Sequence, residues 1–232
     1  MNRFALAVAA FAGIAASSQS AFAADFYAFG YSNYDGAEAL SVTTGTGSTS
    51  ISTHGFQGWV SDTAVNTAGP TGSTNYAVGN VTGHLYNNYF VFDISGLTGT
   101  VTSAVLSLTQ GTNSDSAIFR LGDATNLISS LHNAVSPNVA LYNALGTGTL
   151  FGTYSLSAGT SYNTLAFTLN QAGINALNAD IAAGKTQFAL GGSITSLAGS
   201  VPEASTWAML IVGIGGVGSA MRKRKKVTSS LA

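Results

Sequence analysis

The C-terminal end of the chain constrains what it can become more than any other segment. An uncharged apolar stretch, Trp207–Met221, is followed at once by five cations. A helix over that stretch would be about 22 Å long against a hydrocarbon core of about 30 Å, and Ala204–Thr206 can extend it. Cations beside a span stay on the cytoplasmic side. The pattern predicts a transmembrane helix over 207–221 and a basic cytoplasmic tail over 222–232, with retention charges at Arg222, Lys223, Arg224, Lys225 and Lys226.

The N-terminal end has the pattern of a secretory signal peptide. Arg3 supplies the positive charge, Phe4–Ala16 forms the apolar region, and Ala21 and Ala23 provide the small residues of a cleavage site. Residues 1–23 are therefore predicted to be removed, so that the mature chain begins at Ala24. A cleaved N-terminus combined with cytoplasmic C-terminal cations places residues 24–200 outside the cytoplasm.

The region between the two signals is acidic, although the whole chain is nearly neutral. Arg120 and Lys185 are its only Lys or Arg residues, and two cations against eight carboxylates give a net charge of −6. An acidic region without a basic patch argues against nucleic acid and anionic lipid head groups as partners. The eight acidic residues are Asp25, Asp35, Glu38, Asp62, Asp93, Asp115, Asp123 and Asp180.

Cysteine is absent from the chain. Disulfides are permitted outside the cytoplasm, so a domain without them depends on its apolar core alone. The absence also excludes thiol catalysis and thiolate metal sites within this chain. About 177 residues between the signals suffice for one domain with a good core.

The mature region is rich in strand and turn patterns. Tyr86–Ile94 and Val101–Thr109 carry the strongest strand signals, and the turn Ser95–Gly99 separates them. We expect these two runs to form a hairpin at the centre of the core. The period of two then predicts that the core-facing side chains are Phe90, Phe92, Leu106 and Leu108, with Asp93 toward a turn or solvent.

One short helix is expected in the mature region. Asn170 is a candidate N-cap, Ile174 and Leu177 have helical spacing, and Gly184 ends the pattern. Two other segments are open: 40–51 is an edge strand or a loop, and 127–145, with a proline inside it, is undecided. The expected fold is mainly β: an antiparallel β-sandwich over 24–197, followed by a linker and sorting motif over 198–206.

That sorting motif carries a family resemblance. Pro202 and Glu203, followed by Trp207, Ala208 and Met209, resemble the PEP-CTERM sorting signal of exported bacterial proteins in its Pro-Glu-x-x-x-Trp-Ala-Met form. Ala204 stands where the family has a second proline. The resemblance implies cleavage near 202–204 by an exosortase, and a plain anchor that is never cut is the alternative. It also implies an inner-membrane anchor before processing, then a cell-surface or matrix location and an association with exopolysaccharide.

A second resemblance lies in the middle of the chain. The run Tyr89–Leu97 followed by Val101–Leu108 resembles a stretch of jelly-roll modules on bacterial surface proteins. These modules are similar to carbohydrate-binding sandwiches. The resemblance implies a jelly-roll-like fold more than an activity.

Catalytic patterns are weak in this chain. No pair among His54, His84 and His132 has metal-ligand spacing, and no Gly-x-Ser-x-Gly elbow occurs. Glu38 is the one glutamate between the two signals, whereas a glycosidase needs two carboxylates across a cleft. We therefore assign no catalytic residues and no cofactor. The expected role is a non-enzymatic surface or matrix component, and a hydrolase is the weaker alternative.

Two kinds of binding residue remain as candidates. Asp93, Asp115 and Asp123 could offer oxygen ligands to calcium, but turn capping is the preferred interpretation of each, so no metal is assigned. Exposed aromatic side chains could stack on sugars, which keeps a carbohydrate-binding module as the alternative function. The aromatic candidates are Tyr27, Tyr31, Tyr34, Trp59, Tyr86 and Tyr89.

Overall fold

A computed structural model describes residues 25–29, 38–53, 56–63, 76–81, 84–113, 116–135, 137–160 and 163–198. The predicted signal peptide, sorting motif and transmembrane helix lie outside these residues. The strands are β1 Asp25–Phe29, β2 Ala39–Thr44, β3 Gly47–Ser52, β4 Gln57–Ser61, β5 Tyr76–Val81, β6 His84–Asp93, β7 Val101–Asn113, β8 Ser116–Asp123, β9 Leu150–Leu156, β10 Gly159–Thr160, β11 Thr164–Thr168 and β12 Gln187–Ala198. The helices are α1 Ile128–Leu131, α2 Val139–Thr147 and α3 Gln171–Ala182, and a 3-10 turn, Thr125–Leu127, precedes α1.

The strands form two antiparallel sheets. The smaller sheet has the order β3-β2-β7-β11. The larger sheet runs β1-β5-β6-β12-β8-β9, with β4 also paired to β6. The long strand β7 contributes to both sheets, because its far end pairs with β1 and β10. The expectation of a mainly β, antiparallel fold is confirmed.

The main core lies between the two sheets. Phe90 and Phe92 of β6 and Leu106 and Leu108 of β7 are all fully buried in one apolar cluster, as the period of two predicts. Leu40 and Val42 of β2, Phe119 and Leu121 of β8, and Phe188 and Leu190 of β12 complete its centre.

The predicted hairpin between 86 and 109 is wrong. β6 pairs with β4, β5 and β12, whereas β7 pairs with β1, β2, β10 and β11. Phe92 and Leu106 therefore lie in the same core cluster from opposite sheets. The connection Ile94–Thr100 carries the chain from one sheet to the other, and Gly99 within it has a φ of 82°. Each strand buries its apolar face while it pairs through its edges with strands distant in sequence.

The prediction of one helix is also wrong, since the described part of the chain contains three. The undecided segment 127–145 is split at Pro137 into α1 and α2, because proline interrupts a helix but is tolerated just before one. Asn138 caps α2 by accepting a hydrogen bond of 3.0 Å from the Leu141 N–H. The two helices pack through Leu131, Leu141 and Leu145 in a second apolar cluster with Tyr89 and Val91 of β6 and Ala189 of β12.

The predicted helix over the Asn170 region is confirmed as α3. The Asn170 side chain accepts from the Gly173 N–H at 3.1 Å, and Gly184 ends the helix with a φ of 69°. Asn178 joins α3 to the start of β7 by accepting from the Val101 N–H at 2.8 Å and donating to the Val101 carbonyl at 3.0 Å. Among the described residues, no helix combines the length and the apolar character that crossing a membrane requires.

Candidate functional site

Two open clefts adjoin each other at the turn that follows β6, and we name them together the turn groove. Asp93 and Ser95 line both clefts, which have volumes of about 390 and 470 Å³. The first is completed by Thr53, Phe56, Val91, Thr186 and Gln187. The second is completed by Ala39, Thr49, Ser50, Ile51, Ser52, Gly96 and Leu97.

Backbone hydrogen bonds fix the shared wall of the turn groove. The Asp93 carboxylate accepts from the Ser95 N–H at 2.9 Å, which closes the turn locally. The Ile94 N–H donates to the Thr186 carbonyl at 2.8 Å, and the Leu97 N–H donates to the Ile94 carbonyl at 3.0 Å. The wall is therefore tied to the start of β12 by main-chain bonds, and the Asp93 side chain adds a local cap at the turn.

The lining of the turn groove is polar and carries little charge. Ser, Thr and Gln side chains supply hydroxyls and an amide, Phe56 and Leu97 supply apolar surface, and Asp93 is the single charged residue among the described residues of the lining. Such a lining can exchange hydrogen bonds with a neutral polar ligand. It does not provide the pair of carboxylates that glycoside hydrolysis uses.

The calcium candidates are turn residues where the structure describes them. Asp123 accepts from the Thr125 N–H at 2.9 Å, the same arrangement that Asp93 makes with Ser95. Asp115 lies outside the described residues. Within the described ranges, no group of three His, Cys, Asp or Glu side chains is placed to hold a metal ion. Both described carboxylates are thus used as turn caps.

The imidazoles and the glutamate have separate surroundings. His84 Nδ1 and Thr63 Oγ1 are 2.9 Å apart, while the His132 ring stacks at an angle on Phe56 with centroids 4.8 Å apart. Glu38 is buried just before β2, and His54 lies outside the described residues. Within the described ranges, His84, His132 and Glu38 belong to no cluster of three metal-ligating side chains.

Trp59, Tyr86 and Tyr89 are the aromatic candidates whose side chains the structure describes, and all three are buried. Trp59 and Tyr86 meet edge to face, with ring centroids 4.9 Å apart, and each is only 8% exposed. Tyr89 is 1% exposed, and burial raises its pKa to about 12. Tyr27 lies in β1, and Tyr31 and Tyr34 are outside the described residues. Trp59, Tyr86 and Tyr89 therefore do not form an exposed strip for sugar stacking.

Phe56 is one of the turn-groove residues that sequence reasoning missed. Its N–H donates to the Thr53 carbonyl at 2.9 Å, and its carbonyl accepts from the Val91 N–H at 2.8 Å. These bonds hold the half-buried ring at the groove beside β6. A lone phenylalanine in a loop-prone segment carries no sequence signal that distinguishes a groove residue from a core residue.

The residues predicted for sorting, signal cleavage and cytoplasmic retention all lie outside the described part of the chain. Comparison with protein-family models, with curated proteins and with solved structures found no match for this chain.

Proposed function

We propose that this chain is an exported surface or extracellular-matrix protein without enzymatic activity, anchored by its C-terminal segment and sorted by it. The observation that carries the proposal is the order of the tail: a Pro-Glu motif, an apolar stretch, and then five cations. With the N-terminal signal pattern, that order assigns one orientation to the chain. The turn groove and the outward Ser and Thr side chains of the smaller sheet suit contact with neutral, hydrated material.

Exosortase is the proposed processing partner, and the membrane is the first destination. The polar motif before the span offers a cleavage point, after which the mature domain reaches the cell surface or matrix. Exopolysaccharide is the proposed surrounding material. A jelly-roll-like arrangement of the two sheets belongs to the same proposal, supported by the long strand β7 that pairs in both sheets.

The orientation is tested by adding protease to spheroplasts that express the full chain. We expect digestion of the domain with survival of the basic tail. A variant with residues 222–226 all changed to glutamine is the matched control, and it should insert in mixed orientations because the retention charges are gone. Protection of the segment 86–190 in the wild-type protein would rule out the proposed orientation.

Processing is tested by mass spectrometry of the mature protein. In cells with an active exosortase we expect a C-terminus close to Pro202. The variant Ala204→Pro restores the second proline of the related motif and should raise the processed fraction. Recovery of full-length tails ending at Ala232 from both proteins would contradict processing and leave a plain anchor.

The alternative function is a carbohydrate-binding module, and the turn groove is the observation that favours it. Its hydroxyl and amide lining matches the donors and acceptors of a sugar. A glycan array probed with the full-length protein tests this alternative. Binding that is lost in Ser95→Glu, which places a charged side chain in both clefts, would support it; an array without signal would exclude it.

A further inference from the structure

The outer face of the smaller sheet is built from small, uncharged side chains in cross-strand register. Directly paired residues of antiparallel strands lie on the same face. The pairings of β3, β2, β7 and β11 therefore define three rows, which we name the hydroxyl face. The rows are Ser52–Ala39–Ser107–Ala166, Ser50–Ser41–Val105–Thr168 and Ser48–Thr43–Ser103.

The hydroxyl face is accessible and has no charged or aromatic member. Ser48, Ser50, Ala166 and Thr168 are exposed, and the other members are half-buried. Thr43 and Ser48 join their hydroxyls across the β2–β3 pair at 2.9 Å. In the part of the chain that the structure describes, the hydroxyls of Ser50 and Ser107 make no hydrogen bond to the protein.

The regular geometry of a sheet turns these hydroxyls into a lattice. Neighbouring strands are about 4.8 Å apart, and outward residues on one strand repeat at about 6.8 Å. An extended polymer with repeated hydroxyls can meet several of these positions at once. Each hydrogen bond to a neutral group is weak, so a polymer that engages many of them gains affinity through multivalency.

The size of the hydroxyl face argues against a second copy of the chain as its partner. Each outward position covers about 33 Å², so the three rows cover roughly 350–400 Å². A stable protein interface buries about 800 Å² on each partner and is more apolar at its centre. A face this small and polar fits a narrow polymer chain better than a folded protein.

The charge of the exported region also limits which class of polymer the hydroxyl face can bind. The region between the two signals has a net charge of −6, and its two cations, Arg120 and Lys185, are not members of the hydroxyl face. An anionic polysaccharide would be repelled by this net negative charge and would find no counter-charge on the face. We infer that the hydroxyl face binds a neutral, extended polysaccharide chain, a ligand class that rests on the proposed matrix function and assigns it a surface.

The test is affinity electrophoresis of the full-length protein in nonionic detergent through gels that contain hydroxyethyl cellulose or alginate. We expect retardation by the neutral polymer and none by the anionic one. Ser48→Glu with Thr168→Glu places carboxylates on two strands of the face, at exposed positions that do not line the turn groove. This double variant should bind about tenfold more weakly, the effect expected from losing one or two hydrogen bonds.

The matched control is Ser129→Glu with Ala140→Glu. It adds the same two charges at exposed positions of α1 and α2, which pack against the larger sheet, and should keep wild-type retardation. If the Glu double variant melts early, Ser41→Ala with Ser107→Ala replaces it, because that pair removes two hydroxyls of the face, leaves the turn groove unchanged and keeps the face small and flat. Its retardation should fall several-fold.

The inference would be overturned by no retardation of the wild type, by equal retardation by alginate, by unchanged retardation of both face variants, or by a concentration-dependent dimer that the face variants abolish. Loss of binding in Ser95→Glu alone would move the ligand to the turn groove and also overturn it. The spheroplast assay measures the orientation of the chain without any glycan, and affinity electrophoresis measures polysaccharide binding without any export. A failure of the surface and a failure of the proposed function are therefore distinguishable.

Discussion

The two sheets differ in what covers their outer faces. On the larger sheet, Tyr89 and Val91 of β6 and Ala189 of β12 lie in the cluster formed with α1 and α2 and are almost fully buried. On the smaller sheet, Ser41, Val105 and their neighbours remain half-exposed or exposed. The larger sheet is therefore covered on both faces around β6 and β12, and the smaller sheet on one face only.

Strand composition explains this difference. The run Tyr89–Phe92 in β6 is continuously apolar, which is typical of a strand buried on both faces. Val101–Leu108 in β7 alternates Ser or Thr with Ala or Leu along most of its length, which is typical of a strand with one solvated face. The comparison teaches that an uninterrupted apolar run in a strand indicates that other elements cover the outer face of its sheet as well.

The largest effect is expected in the shared core. Phe92 has no exposed surface, and truncating a buried phenylalanine costs about 3–5 kcal/mol, a large part of a domain's stability. Phe92→Ala should unfold the domain near room temperature, measured by thermal melting. Val105→Ala, on the outer face of the smaller sheet, is the control and should melt close to the parent. A parent-like melt of Phe92→Ala would remove β6 from the core.

The next effect concerns the cover of the larger sheet. Leu145 of α2 is fully buried in the second cluster, and Leu→Ala in such a site costs about 2–5 kcal/mol. Leu150→Ala, at a leucine that is 43% exposed, should cost much less. Equal losses for the two variants in chemical denaturation would mean that α2 contributes no more than a surface segment.

Alkaline pH should weaken the same cover. Burial raises the pKa of Tyr89 from 10.0 to about 12. The unfolded chain releases this proton near pH 10, whereas the folded chain holds it to about pH 12. The contribution of neutral Tyr89 to the free energy of unfolding is therefore fully present below pH 10 and is lost between pH 10 and 12. The loss should approach roughly 3 kcal/mol, because each tenfold change in the proton equilibrium is worth about 1.4 kcal/mol. Chemical denaturation at several pH values between 10 and 12 measures this loss. The free energy of unfolding should fall less steeply with pH in Tyr89→Phe, and an identical slope in the variant would disprove the assignment.

The smallest effect is expected on the hydroxyl face. Ser41→Ala removes a half-exposed hydroxyl and leaves the strand pairing intact, so the free energy of unfolding should change by less than about 0.5 kcal/mol. Chemical denaturation of the variant checks this value. A loss above about 1 kcal/mol would show that this face is covered in the folded protein, and the contrast between the sheets would then disappear.

Local sequence patterns predicted the positions of strands and helices better than they predicted which strands pair. The apolar faces of β6 and β7, and α3 with its Asn170 cap, follow from spacing and capping within a few residues. The hairpin failed because strand pairing is decided by residues far away: Phe92 is opposite Phe188, and Leu106 is opposite Leu40. The helices α1 and α2 were missed because Pro137 breaks the periodic pattern of their segment.

The candidate surfaces were even less accessible to sequence reasoning. The turn groove gathers Thr53, Asp93 and Thr186 from three distant parts of the chain. The hydroxyl face depends on the register of β2 and β3, a segment whose Ser and Thr residues fit an edge strand and a loop equally well. Composition shows that such side chains are abundant, and only the pairing shows that they are aligned.

The position of β12 has a mechanical consequence. It is the last strand of the described domain and lies between β6 and β8, bonded to one over 187–192 and to the other over 190–198. Tension applied to the chain beyond Ala198 therefore enters the middle of the larger sheet and not its edge. Such a load extracts the strand only if two hydrogen-bonded ladders yield, so the domain resists pulling at its C-terminus more than a domain that ends on an edge strand.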